Sequence, residues 1–251
     1  MNNSDNRVTR RSVLKAGAAL AFGSGAPLTA AAHQQNDPLR ALQGASASVL
    51  TDALGRAGYD PRKQVMSTDI KPVTKGGQTI VGPAVTTKWA TSYAGYEPDA
   101  VTRFVFQPLD EAPAGSIWVV ASGVGRLYSM FGELIVMACA RNGMVGAVTD
   151  GGCRDVTGTD ELNFPVFAKG TVLHGPGNVI RPVGANVEVE CGGVKVRPGD
   201  VIAADADGVL AIPKEAVPDV ARFKQELVEE EIEVRRRIES GVPLATAYSY
   251  R

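Results

Sequence analysis

The spacing of apolar residues changes its period several times along the chain. Over 46–58, Val49, Leu50, Ala53 and Leu54 fall on one face and Gly58 supplies a stop, which predicts a helix. Residues 79–88 are rich in β-branched side chains and read as a strand. The apolar run 116–121 reads as a buried strand. Over 132–142 the pattern returns to a helix, with Glu133 in its first turn and Gly143 just past its end. The run 145–149 is a further apolar strand. Short strands follow at 165–168, 186–190, 194–196, 201–204 and 209–212, separated by Gly, Pro and Asp turns. A long helix with a charged middle covers 214–240. Short strands between an early helix and a closing helix predict a mixed α/β domain rather than a regular doubly wound sheet.

The first thirty residues break this pattern. Thr9-Arg10-Arg11-Ser12-Val13-Leu14-Lys15 precedes an Ala/Gly-rich apolar run over 16–28, and Ala30-Ala31-Ala32 offers small residues for a signal peptidase. The arrangement resembles a twin-arginine export signal over 1–32. The run is short for a bilayer span, which needs about 20 apolar residues. Expected boundaries are therefore the signal at 1–32, a linker at 33–44, an α/β domain at 45–240 and a tail at 241–251. The expected location is periplasmic or extracellular.

Composition narrows function more than fold. The formal net charge is −1, with no basic block or aromatic-basic interleaving, so no nucleic-acid surface and no membrane surface are expected. Three cysteines, Cys139, Cys153 and Cys191, cannot all pair, and no Cys-x-x-Cys spacing suggests zinc. They read best as three separate small residues, buried or semi-buried; Cys153 falls in the loop that carries the candidate chemistry, where an exposed and reactive thiol is the other reading. The two histidines, His33 and His174, leave no inventory for a His-rich metal site or a His-based triad.

The candidate chemistry lies between Gly132 and Asp155. A helix from Gly132 travels on the order of 16 Å, at 1.5 Å per residue. A strand over 145–149 travels back about as far. If the two are antiparallel, the loop after the strand returns to the helix N-terminus and gathers Glu133, Asp150, Arg154 and Asp155. Free N–H groups near Glu133, Leu134 and Ile135 suit a carboxylate. An arginine fork grips a carboxylate or enolate, and adjacent carboxylates suit Mg²⁺ with retained waters. On spacing alone, a surface turn closed by an Arg–Asp ion pair remains the other reading.

The full motif is more specific. Gly132-Glu133-Leu134, Gly143, Gly146, Asp150-Gly151, Arg154-Asp155 and Pro165-Val166-Phe167-Ala168 resemble the RraA-like family, as does Gly199-Asp200-Val201 through Ile212-Pro213. That family includes 4-hydroxy-4-methyl-2-oxoglutarate aldolases, oxaloacetate decarboxylases and RraA proteins that inhibit ribonuclease E. The resemblance implies a swivelling β/β/α domain, self-association into a trimer or hexamer, and a Mg²⁺ or Mn²⁺ cofactor. It implies that Asp155 is the direct metal ligand and that Glu133 acts through water, as does Glu230 from a neighbouring subunit, with Glu229 and Glu231 as nearby alternatives. Arg154 matches the residue that binds the 2-oxo acid, and Gly132, Leu134 and Ile135 line the pyruvate carboxylate. Glu133 stands where the aldolases have Asp. The implied function is a metal-dependent carbon–carbon lyase on a small 2-oxo acid. A non-catalytic RraA-type regulator or a 2-oxo-acid-binding protein is the alternative.

Other features read more plainly. Gly123-Val124-Gly125-Arg126 lacks the Gly-Lys-Ser/Thr ending of a phosphate loop and is expected beside the site, with Arg126 or Tyr128 facing it. Asp205-Ala206-Asp207-Gly208 lacks EF-hand spacing and reads as a turn. Lys88 and Lys169 read as solvated or structural.

Overall fold

Twelve residues of continuous strand, β2 (Ile80–Thr91), organise the sheet. Residues 80–83 pair antiparallel with β11 (Val201–Ala204), 84–88 pair parallel with β3 (Ile117–Ala121), and 87–91 pair antiparallel with β8 (Ile180–Ala185). From β3 the sheet continues through β5 (Gly146–Thr149) and β7 (Val166–Ala168), both parallel, to β1 (Lys71–Pro72). On the other side β11 pairs with β12 (Val209–Ile212). Two smaller pairs stand apart: β4 (Ser129–Phe131) with β6 (Gly152–Cys153), and β9 (Val189–Cys191) with β10 (Val194–Val196). The computed structural model describes residues 37–75, 79–91 and 97–249. The export signal expected at 1–32 lies outside the described residues.

The helices are α1 (Pro38–Leu42), α2 (Ala47–Arg56), α3 (Gln107–Asp110, entered through a π-helical turn over Thr102–Phe106), α4 (Glu133–Arg141), α5 (Val156–Glu161), α6 (Val217–Glu239) and α7 (Leu244–Tyr248). The mixed α/β expectation holds. Ser46 caps α2 by accepting a hydrogen bond from Val49 N–H, as its position before an apolar-periodic run predicts. The helix expected at 214–240 begins instead with a 3₁₀ turn over Lys214–Ala216, and Pro218 occupies the first turn of α6, where its missing N–H costs nothing. The expected linker and tail both carry helix: Leu42 in α1 and Ala247 in α7 are fully buried.

Apolar residues on the sheet divide by alternation. Val85, Trp118, Val120, Ala147 and Val166 face α4 and pack with Phe131, Val136 and Cys139. Ala84, Ile117, Val119 and Val148 face the β9–β10 hairpin. A third cluster holds α1, α2 and α6 against β11 and β12 through Leu42, Leu50, Leu54, Val220 and Leu227. Every residue of β3 is buried, which explains its unbroken apolar run.

One of the longer strands was not expected. Ile180–Ala185 contains Pro182, which argues against a strand. The pairing tolerates it because Pro182 lies opposite Trp89, where the register shifts between Lys88 and Trp89. The strand expected at 186–190 lies later, at Val189–Cys191, because Asn186 takes a left-handed turn conformation at φ 51°.

Phe131 ties this core to the region of interest. Its ring is 4.9 Å from that of Trp118, and its carbonyl accepts a bond from Arg154 N–H at 3.0 Å. Phe131→Ala should cost about 3–5 kcal/mol, a fall in Tm on the order of 10 °C. Phe106→Ala, at a half-exposed position, should stay within about 0.5 kcal/mol. Thermal melts followed by circular dichroism decide it, and equal shifts for the two variants would mean that Phe131 anchors nothing.

Candidate active site

Two parallel strands bring distant residues together. Gly152 N–H donates to Tyr128 O at 2.9 Å, and Arg154 N–H donates to Phe131 O at 3.0 Å. β4 runs directly into α4, so β6 delivers Arg154 and Asp155 to the N-terminus of that helix. Gly132 is the N-cap, with extended backbone and no side-chain cap bond. The first intrahelical bond is Val136 N–H to Gly132 O, so the N–H groups of Glu133, Leu134 and Ile135 have no partner one turn back.

Gly132 is needed here for close approach. A Cβ at this position would stand 2.9 Å from Asp155 Oδ2 and 3.3 Å from Arg154 Nε. The Arg154–Asp155 pair therefore lies directly against the open end of α4. Arg154 Nε and Asp155 Oδ2 are 3.4 Å apart, with both side chains about half exposed (49% and 48%). A pair this open contributes at most about 1 kcal/mol. Asp155 sits in the left-handed region at φ 55°, ψ 37°. An L-residue there costs on the order of 1 kcal/mol, which Asp tolerates better than most. Asp155 is the N-cap of α5, yet its side chain makes no cap bond, so its carboxylate is not spent on the helix.

Glu133 reaches the same corner. Its carboxylate folds onto Gly158 of α5, and a Cβ at 158 would come within 2.9 Å of Glu133 Cγ and closer still to the carboxylate. Gly158 supplies the room that the longer acid requires. Residue-by-residue reading missed it; the signal was a glycine inside a short helix, where it weakens the helix. Among the described residues no ion pair to Glu133 exists.

Asp150 departs from expectation. It does not join Glu133, Arg154 and Asp155. Its Oδ1 accepts Ser122 N–H at 2.7 Å and its Oδ2 accepts Gly192 N–H at 3.5 Å, tying the end of β5 to the hairpin face. Lys88 and Lys169 are exposed, in line with the plain reading. Asp205 is a turn residue: it accepts Asp207 N–H and also Ala47 N–H at the start of α2. Glu230 forms a bidentate pair with Arg56 of its own chain, at 2.8 and 2.7 Å. Leu134 is 80% exposed.

The donor set is two hard carboxylates. Among the described residues no group of three or more His, Cys, Asp and Glu could hold a metal ion. Two carboxylates with the rest of a shell left to water would suit Mg²⁺ or Mn²⁺ better than Zn²⁺, which takes three or four N/S-rich ligands.

Comparison with known proteins now decides the family. Residues 47–211 match the family model RraA-like, described as Aldolase/RraA. This chain belongs to the RraA-like family. A Halalkalibacterium halodurans protein provisionally named 4-hydroxy-4-methyl-2-oxoglutarate aldolase is 31% identical over 188 residues, covering 73% of this chain and 82% of that protein. The crystal structure of Streptomyces coelicolor RraAS2, described as an unusual member of the RNase ES inhibitor RraA protein family, aligns with TM-score 0.67 and 26% identity. It covers 80% of this chain and 96% of that one. An uncharacterized Pseudomonas syringae protein gives TM-score 0.72 at 22% identity, over 84% of this chain and 96% of that one, which speaks to the fold.

Burial decides between the two readings of Cys153. It is fully buried, and its thiol donates to Arg154 O at 3.3 Å. Burial, with the Asp155 charge adding, pushes the thiol up to about 11. Burial pushes Cys139 up to about 12, and Cys191 well above its usual value. A raised thiol pKa keeps the unreactive protonated form at neutral pH. The folded protein at pH 8 should therefore react with a disulfide reagent far more slowly than the unfolded chain, and faster as pH rises towards 11. A rapid stoichiometric reaction of Cys153 in the folded protein would contradict this burial.

Proposed function

We propose that this protein is a divalent-metal-dependent lyase acting on a small 2-oxo acid. It would cleave a 4-hydroxy-2-oxo acid to pyruvate by retro-aldol chemistry, decarboxylate oxaloacetate, or do both. The observation that carries this reading is the placement of Arg154 and Asp155 over the unpartnered N–H groups of α4, permitted by Gly132. The family membership and the name of the H. halodurans relative support it.

In this reading Asp155 holds Mg²⁺ or Mn²⁺ directly, and Glu133 contributes through water. The bound ion supplies Lewis-acid stabilisation of negative charge developing on the substrate. The N–H groups of Leu134 and Ile135 receive the substrate carboxylate. Arg154 grips the 2-oxo group and takes the charge of the enolate as it forms. The C3–C4 bond breaks and its electron pair passes towards the C2 carbonyl. The proton of the C4 hydroxyl leaves through water, and Glu133 is the free carboxylate placed to receive it. Protonation at C3 then completes pyruvate. In decarboxylation CO₂ is the departing group and no hydroxyl proton is involved.

We further propose that the working form is a trimer or hexamer in which Glu230 of a neighbouring subunit completes the metal's water shell. Exposure of Leu134 and Met137 on α4 beside the site supports a covering partner. Such a role requires the Arg56–Glu230 pair to open. The route to the periplasm or beyond is proposed to be twin-arginine export. A second reading is a non-catalytic regulator or a 2-oxo-acid-binding protein; the likeness to RraAS2, of an RNase ES inhibitor family, supports the regulator.

The protein lacking residues 1–32 should release pyruvate from oxaloacetate or 4-hydroxy-2-oxo acids when Mg²⁺ or Mn²⁺ is present, and lose this with a chelator. Arg154→Ala should lower kcat about 10²–10³-fold, and Asp155→Ala should abolish the metal-dependent rate, with melting curves kept. Gly132→Ala should also reduce the rate, because its methyl displaces both side chains. Silence of the unmutated protein on all substrates would leave only the second reading.

A further inference from the structure

The strand pair that delivers Arg154 also places a second set of side chains beside it. Residues 171–175 run alongside β6: Cys153 bridges Thr171, and Val172 N–H donates to Cys153 O at 2.9 Å. Ser129 N–H then donates to His174 O at 2.9 Å, which pins His174 across β4. The next residue, Gly175, lies against the Arg154 guanidinium; a Cβ there would be 3.8 Å from Nη1. The His174 ring meets the Tyr128 ring edge-on, with centroids 5.3 Å apart. The Arg126 guanidinium lies 5.8 Å from the centre of the other aromatic surface, that of Tyr128. Arg126 and His174 are exposed, whereas Tyr128 is buried beneath them.

Among the described residues Arg126 has no carboxylate partner. Its planar fork is free for a bidentate acceptor. With Arg154 assigned to the reacting end, a second guanidinium joined to it through Tyr128, His174 and Gly175 suits a second anionic group. We propose that Arg126, seated on Tyr128 and flanked by His174, is the specificity-determining subsite for the distal carboxylate of a dicarboxylic 2-oxo acid. This rests on the reading of Arg154 and α4 as the site of the 2-oxo acid. Tyr128 acts as the platform that sets the direction of Arg126, and His174 supplies a second donor on the same side. On this assignment Arg126 holds the far end and Arg154 the reacting end, so loss of Arg126 weakens binding of the far end without touching the chemistry.

The test compares a dicarboxylate, 4-hydroxy-4-methyl-2-oxoglutarate, with 4-hydroxy-2-oxopentanoate, which lacks the distal carboxylate. Arg126→Ala should raise KM for the dicarboxylate about tenfold or more, as expected for a lost charge-assisted contact. Its kcat should change by less than about threefold, and kcat/KM for the monocarboxylate should be unchanged. Arg126→Lys, which keeps the charge and loses the fork, should fall between. His174→Gln should show the same selectivity in milder form. An equal fall on both substrates, or no change on either, overturns the proposal. If the unmutated protein turns over neither, the lyase reading fails by itself. Calorimetry with Mg²⁺ and 2-oxoglutarate against 2-oxobutanoate then decides the subsite. A preference for the dicarboxylate that Arg126→Ala removes supports it, and absence of any preference overturns it.

Discussion

Two backbone hydrogen bonds hold the candidate site together: Gly152 N–H to Tyr128 O and Arg154 N–H to Phe131 O. They join β4 to β6 and so fix Arg154 relative to Glu133, which is 21 positions earlier. Every other feature depends on this pairing. It sets Asp155 over Gly132, turns the chain into α5 through a left-handed residue, and brings Gly158 under Glu133. The pairing is anchored from below by Phe131 against Trp118, so the buried core fixes a corner that is itself half open. Chemistry placed by packed strands rather than by a free loop keeps its geometry without help from a ligand.

Much of this was legible because burial writes itself as period. The runs at 116–121 and 145–149 had to be central strands, since an apolar run of that length needs cover on both faces. The helix at α4 was marked by Glu133 in its first turn and Gly143 after its end. The site is harder to read because 150–155 has the composition of a single loop. Asp150 finishes β5 and faces Ser122 and Gly192, whereas Gly152 and Cys153 form a new strand on β4. Only the last two residues of the segment reach α4. A two-residue strand has no period to detect, and its partner was not recognisable either. Pro182 hid β8 for a different reason: a rule about donors was correct, but a register shift removed the need for that donor. The exposed reading of Cys153 fails for the same reason that Asp150 lies apart from the corner: a strand residue stands where a loop is expected.

Glu133 and Gly158 show how a motif departure is absorbed. Replacing Asp by Glu lengthens a side chain by one methylene, which in a packed corner must go somewhere. Here it lies across a helix that lacks a Cβ at the point of contact. The acid and the glycine are one feature, although 25 positions separate them. The strain at Asp155 belongs to the same corner. Its left-handed backbone costs stability and gives no cap bond in return, which leaves the carboxylate half exposed beside Gly132 and Arg154.

Arginines in this chain differ most in how completely they are used, and that difference separates support from chemistry. Arg197 contacts Asp200 through Nε and Nη2 and both oxygens of Glu215 through Nη2, with Asp200 buried; it locks a turn and has little left to offer. Arg56 is matched fork to fork with Glu230. Arg154 has one neighbouring carboxylate at 3.4 Å, half exposed, and a pair of that kind is worth about 1 kcal/mol or less. On the proposed reading, a 2-oxo acid that engages the fork with good geometry would gain about 1.5–3 kcal/mol, enough to draw Arg154 away from Asp155. On that reading, the weakness of the Arg154–Asp155 contact leaves each side chain available for a separate task. A tighter pair would hold the corner more firmly and leave neither side chain available.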